Sequence, residues 1–241
     1  MQTAYASVLL VHAVAGLCAL AALPLPLIAR KGSRLHRRAG WVFVAAMAGV
    51  ALTGLVISTT WLLAPLTVQP RGDRSPAELA AIAAQIRGYG LFFNTIAVMS
   101  GAAVWQGIAA LRRSRAQRPR RRRWDLGIAV APILSGALLL ILGLVRGEAL
   151  FIGFGALASF GGVGDLRAVL RDARDPKSRI LRHLQAMLGG ATAALVAFCV
   201  LVLRRHLPQL ASYDLLFWFV PAALGVFGTV AWTRVWRKRL G

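Results

Sequence analysis

The sequence predicts an all-α integral membrane protein, a seven-transmembrane helix bundle with its N-terminus outside and its C-terminus in the cytoplasm. Three observations predict it. The chain has 241 residues, of which 58% are hydrophobic and 15% charged, more apolar surface than one soluble domain has interior to hide. Seven stretches approach or exceed the roughly 18 apolar residues that cross about 30 Å of hydrocarbon as a helix. Cations gather after alternate stretches, which is how topology is written in membrane proteins. No alternating barrel pattern appears, so helices are the spanning elements that satisfy their own backbone.

In chain order, the predicted spans cover about 5–29, 40–63, 89–111, 124–145, 149–169, 183–203 and 214–236, all within one domain, 1–241. Met1 to Val11 lacks a basic n-region and the apolar run outlasts an h-region, so the first span is expected to stay in the mature protein. Pro24 and Pro26 predict a kink or early end to that span. Between spans two and three, Ser75-Pro76-Ala77-Glu78 has the form of a capping box with proline at the first helical position. Leu79, Ile82, Ala83 and Ile86 follow at helical spacing, predicting an amphipathic surface helix over 76–86. The short Arg146-Gly147-Glu148 turn makes spans four and five antiparallel neighbours. Gly153, Gly155, Gly161, Gly162 and Gly164 give span five a small-residue surface for helix contact. Asp214 is placed to cap span seven.

Apart from Arg71, Arg74, Arg87, Arg146, Arg204 and Arg205, all 29 Lys and Arg fall on the face bearing the connections after spans one, three and five and the C-terminal tail. The positive-inside rule makes that face cytoplasmic. The net charge of +21 is thereby explained by topology and by anionic lipid headgroups, with no nucleic-acid partner, even for the run Arg118 to Arg123. Trp41, Trp61, Trp105, Trp124, Trp232 and Trp236 sit near span ends, where an amphipathic indole favours the interface. Trp218 has no such assignment. Cys18 and Cys199 lie inside apolar runs and read as small packing residues.

Polar groups inside spans are costly, and each needs a reason. His12 lies about two turns into the first span, with Gly16 one turn away on the same face, where a flat ligand or a neighbouring helix can approach. It serves as an interhelical hydrogen-bonding group or as a ligand. His36 and His183 each stand at the cytoplasmic start of a span beside arginines. Two imidazoles at one depth can ligate one haem b iron, with Arg37, Arg38 and Arg182 neutralising its propionates. The same groups can equally face lipid phosphates. His206 lies on the opposite face. Asp165 is expected to pair with Arg167 or Arg171, and Asn94, Asp165 and Gln185 are the other intramembrane polar candidates. Apart from a haem iron no metal site is predicted. Zinc-peptidase, nucleophile-elbow, Walker and Cys-x-x-Cys motifs are all absent from the sequence.

Together, His12-x-x-x-Gly16, His36-Arg37-x-x-Gly40 and Arg182-His183-x-x-x-Met187, with Ala193 to Phe198, Trp218 and Pro221, resemble a family of bacterial predicted membrane proteins of unknown function. The resemblance implies a polytopic helical fold and marks His12, His36, Arg37, Arg182 and His183, without a reaction. Two histidines per face is also similar, more distantly, to transmembrane di-haem cytochromes. Three functions therefore stand open. The chain is a haem- or quinone-linked redox protein, a small-molecule or lipid permease whose cavity holds His12, Asn94 and Asp165, or a scaffold that binds a membrane partner or a second copy of itself.

Overall fold

A computed structural model describes residues 2–67, 74–112, 119–171, 175–200, 206, 207, 209 and 213–240. Among them are eight α-helices: α1 Gln2–Ala22, α2 Pro24–Ile28, α3 Arg34–Leu63, α4 Pro76–Arg112, α5 Pro119–Arg146, α6 Ala149–Leu170, α7 Pro176–Phe198 and α8 Asp214–Leu240. With α1 and α2 taken together, seven helical segments are long and apolar enough to cross a membrane. The side chains that stand out from the middles of these helices are Leu10, Leu52, Leu138, Phe160, Leu224 and Phe227, all well exposed. An apolar outer surface is what a bundle surrounded by lipid presents.

Several helices start earlier than their apolar runs. α3 begins at Arg34 because Ser33, in extended backbone, accepts a hydrogen bond from the His36 amide (3.2 Å). Arg34 to Gly40 is thus the opening of the second long helix, where the sequence suggests a loop before the span. α7 begins at Pro176, capped by Asp175, whose carboxylate accepts from the Lys177 and Ser178 amides at 3.1 and 3.0 Å. Hydrogen bonding to the carboxylate, first from Ser178 and then from Lys177, holds Asp175 below its ordinary pKa.

The surface helix expected over 76–86 is not separate. α4 runs unbroken for 37 residues, about 55 Å at 1.5 Å per residue. The capping box forms as expected, with the Ser75 amide donating to Glu78 Oε2 (2.8 Å) and the Glu78 amide to Ser75 Oγ (3.3 Å). The next turns are held against neighbours: Arg87 Nε donates to Leu62 O (3.3 Å) and Arg146 Nη2 to Ala84 O (3.1 Å). Ala83, Ile86, Gly88 and Gly90 are buried. Their apolar stripe faces the bundle, which is why no break follows residue 86.

The proline pair separates α1 from α2, as expected of residues without an amide donor. The last carbonyls of α2 need partners, and Lys31 Nζ supplies them, donating to Pro26 O (2.7 Å) and Leu27 O (2.8 Å). His36 Nδ1 reaches the same Pro26 oxygen at 3.0 Å. Gly32, at φ +79°, makes the turn between them.

α4 is the central rod, packing against α3, α5, α6 and α7, while α8 rests on α7. At the end of the bundle opposite the basic connections, Phe92, Phe151, Phe154 and Trp218 form an aromatic core, with Phe92 and Trp218 rings 5.0 Å apart. Trp218 is therefore a packing residue. At the basic end a second core joins α1, α3, α4 and α7 through Ala19, Phe43, Met47, Val104 and Ala191. Neither cysteine belongs to these cores: Cys18 is exposed on α1 and Cys199 half-buried, both unbridged.

Candidate functional site

Between the two cores lies a cavity of about 530 Å³ whose wall receives residues from all seven long segments. Its lining is mainly alanine, glycine, valine and aromatic rings, and the polar exceptions include His12, Ser100, Asp165, Arg182, Gln185 and Thr192. A mostly apolar hollow of this size with a few convergent polar groups is the usual form of a small-molecule site.

His12 is held in one orientation. Its Nδ1 lies 2.9 Å from Thr53 Oγ1, and the Thr53 hydroxyl donates to Gly49 O at 2.6 Å. Gly54 makes room for the ring: a Cβ built there would sit 3.5 Å from His12 Cε1 and 3.3 Å from Ala97 Cβ. Gly16, the expected partner surface, has nothing within 4 Å of such a Cβ. The supporting glycine comes from the facing helix, one position after the threonine that holds the imidazole. The sequence shows Thr53-Gly54 in mid-span but does not connect it to His12.

Asp165 pairs with Arg182, contrary to the expectation of Arg167 or Arg171. The reason is helical geometry. Residues two and six positions on from Asp165 lie on other faces of α6, whereas Arg182 reaches across from α7. α6 and α7 scarcely pack on each other along their backbones, so this half-buried ion pair bridges them along the cavity wall. Arg182 pairs with Asp165, whereas Arg37 and Arg38 are exposed at the start of α3. Gln185, one turn on, lines the same cavity.

Asn94 lies outside the cavity. Its Nδ2 donates to Ser58 Oγ at 3.2 Å, tying α4 to α3. A permease site built from His12, Asn94 and Asp165 thus keeps two of its three members.

His36 and His183 lie at the same end of the bundle, on α3 and α7, both half-buried. They are electrostatic neighbours, and Lys31 is a third member of the group. Each presents Nδ1 to a backbone carbonyl: His36 to Pro26 O at 3.0 Å and His183 to Gly107 O at 2.9 Å. In both, Nε2 has no hydrogen-bond partner among the described residues. Nδ1 anchored on a carbonyl and Nε2 left available is the arrangement of a metal-binding imidazole, although no cluster of three or more ligand-type side chains occurs among the described residues. His206 is exposed on the other side of the bundle, beyond α7, and joins neither group.

One buried acid stands outside the candidates that the sequence suggests. Asp125, 1% exposed, accepts from Trp105 Nε1 at 2.9 Å through its carboxylate, while its backbone carbonyl accepts from Gln106 Nε2 at 2.9 Å. Its position beside a run of arginines reads as a surface charge, and only the long-range pairing of α4 with α5 shows it to be an internal strut. Trp105 correspondingly spends its indole N–H on Asp125, although part of the ring remains exposed.

No protein-family model, curated protein or solved structure matches this chain.

Proposed function

We propose that the chain is a multi-pass protein of the bacterial inner membrane that takes up a lipophilic small molecule in its central cavity, and that it belongs to the family its histidine motifs resemble. The basic end is cytoplasmic and the N-terminus lies outside, with Arg37 and Arg38 meeting anionic headgroups. The observation that carries the proposal is the 530 Å³ apolar hollow with His12 in its wall. Small-molecule sites are concave and mostly apolar with a few convergent polar groups, and this pocket has that make-up.

The test is to purify the protein in a mild detergent, extract its bound lipophilic molecules and analyse them by mass spectrometry. Gly161 lines the cavity and has open space for a Cβ, so Gly161→Leu brings a side chain into the hollow and narrows it. A compound enriched on the wild type and lost from Gly161→Leu supports the proposal; identical extracts from both proteins defeat it.

A second reading is favoured by the paired orientation of His36 and His183. Two half-buried imidazoles at one end, each with Nδ1 donating to a carbonyl, would hold a haem b iron through Nε2. A bound haem would supply one-electron transfer. Arg37 and Arg38 would be the guanidiniums left for its propionates, Arg182 being held by Asp165. After haem supplementation, a Soret band that His36→Ala and His183→Ala each abolish supports this reading; a featureless visible spectrum ends it.

A further inference from the structure

We infer that the cavity selects ligands that bring a hydroxyl donor to His12, a lipophilic hydroquinone in preference to the corresponding quinone. This rests on the proposal that the cavity binds a lipophilic molecule, and it adds which head group is taken.

The inference follows from where one proton must be. Thr53 has a single hydroxyl hydrogen. At 2.6 Å from Gly49 O, and with Val50 O at 3.2 Å, Oγ1 directs that hydrogen to the helix backbone. The oxygen then has only lone pairs to offer His12, so the 2.9 Å contact requires hydrogen on Nδ1. A neutral imidazole with Nδ1 protonated carries a lone pair at Nε2. The ring also hydrogen-bonds the Val50 backbone, whose carbonyl lies 3.2 Å from the same Thr53 Oγ1 that Nδ1 contacts; no hydrogen bond is found at Nε2 among the described residues, and the ring stands in the cavity wall. His12 therefore presents an acceptor in the wall of a mostly apolar pocket, where a donor on the ligand would satisfy it.

The walls name the rest of the ligand. Gly54 faces Ala97 of α4 and leaves the imidazole edge uncovered. One turn beyond Ala97 stands Phe93, in edge contact with Trp61 at 5.5 Å, and both rings line the cavity with Phe154 and Trp218. Aromatic walls on one side of a hydrogen-bond acceptor suit a flat phenolic ring. A hydroquinone donates to Nε2, whereas its quinone offers only acceptors and leaves two lone-pair atoms facing each other. No redox step is implied.

Equilibrium dialysis of the purified protein in detergent against three short-tailed probes tests this: a benzohydroquinone kept reduced, its quinone, and the dimethyl ether of the hydroquinone. The hydroquinone should bind about tenfold more tightly than either of the others, the discrimination expected of one well-made hydrogen bond in an apolar site. His12→Phe should bring the three affinities together while keeping the ring-binding wall. Thr53→Val, which lets the imidazole take either tautomer, should narrow the preference within an intact cavity. Equal affinities in the wild type, or a preference for the quinone, overturn the inference and leave the cavity proposal standing. Failure of all three probes to bind, with Gly161→Leu indistinguishable from wild type, defeats the cavity proposal and the inference with it.

Discussion

Two helical hairpins of the bundle, α5–α6 and α7–α8, are joined in different ways. α5 and α6 approach through glycine until backbone meets backbone. A Cβ at Gly155 would lie 2.6 Å from Leu140 N and 2.8 Å from Gly136 O, and one at Gly136 would lie 2.7 Å from Gly155 O. α7 and α8 meet through side chains, Thr192 filling the space above Gly225. The first joint is closed; the second leaves Gly189, Thr192, Ala222 and Gly225 lining a cavity. The difference teaches how a small-residue surface works in lipid. Since no hydrophobic force draws helices together there, contact depends on how closely the backbones come. The hairpin with two facing glycines closes and the other stays open. The glycines expected to attract a partner protein are thus divided: Gly155 and Gly162 are spent on α5, Gly153 on Phe219, while Gly161 and Gly164 face open space.

The largest effect should come from breaking the closed joint. Gly155→Leu places a side chain against backbone atoms that cannot rotate away, and about 3 kcal/mol of stability should be lost. Thermal unfolding in detergent, followed by far-ultraviolet circular dichroism, measures it; an unchanged midpoint would mean that α5 and α6 are not in backbone contact.

Next comes the bridge that spans the open side. Arg182→Gln leaves the half-buried Asp165 carboxylate without its guanidinium, at a cost of about 2 kcal/mol, somewhat below that of breaking a fully buried pair. The double variant Asp165→Asn with Arg182→Gln should recover most of this loss. If the double variant is as unstable as the single one, the ion pair is not what links α6 to α7.

Gly161→Leu should change stability by less than about 0.5 kcal/mol, the range of substitutions that disturb no neighbour, while abolishing ligand retention. Gly155 and Gly161 lie six residues apart on one helix, so the two variants compare the closed and open faces directly.

The smallest effect concerns the start of α7. Asp175→Ala removes the acceptor for the Lys177 and Ser178 amides, and hydrogen exchange at those two amides should quicken with little change elsewhere. The carboxylate is held below its ordinary pKa in the folded protein. Its contribution is therefore fully present above the unfolded-state pKa and is lost as pH falls through the lower folded value. The wild type should thus acquire the variant's fast exchange only in acid, below the usual carboxylate range.

Local chemistry was legible in the sequence. Ser75 and Glu78 form the box their spacing implies, the two prolines divide the first span, and Arg146-Gly147-Glu148 turns the chain with Gly147 at φ +67°. What escaped depends on which faces meet. α4 continues through residue 86 because its stripe finds α3 and the α5–α6 turn, partners that no window along the chain contains. Asp165 chooses Arg182 over nearer arginines because proximity in sequence is not proximity around a helix. His12 was conspicuous as a polar group in an apolar span, yet its tautomer depends on a hydroxyl 41 residues away. That His36 and His183 share one end of the bundle follows from the order of the spans; their Nδ1 carbonyl contacts do not, since Pro26 and Gly107 carry no side-chain signal for them.

The length of α4 gives the molecule a lever. Ala97, Ser100 and Ala103 of this helix line the cavity, while its capped first turn, Pro76 to Glu78, is exposed. The same unbroken rod joins them, so a rotation at the cavity wall is carried along the helix to the tip. A spin label at Ala77 should therefore register occupancy of a chamber some 30 Å away along the helix.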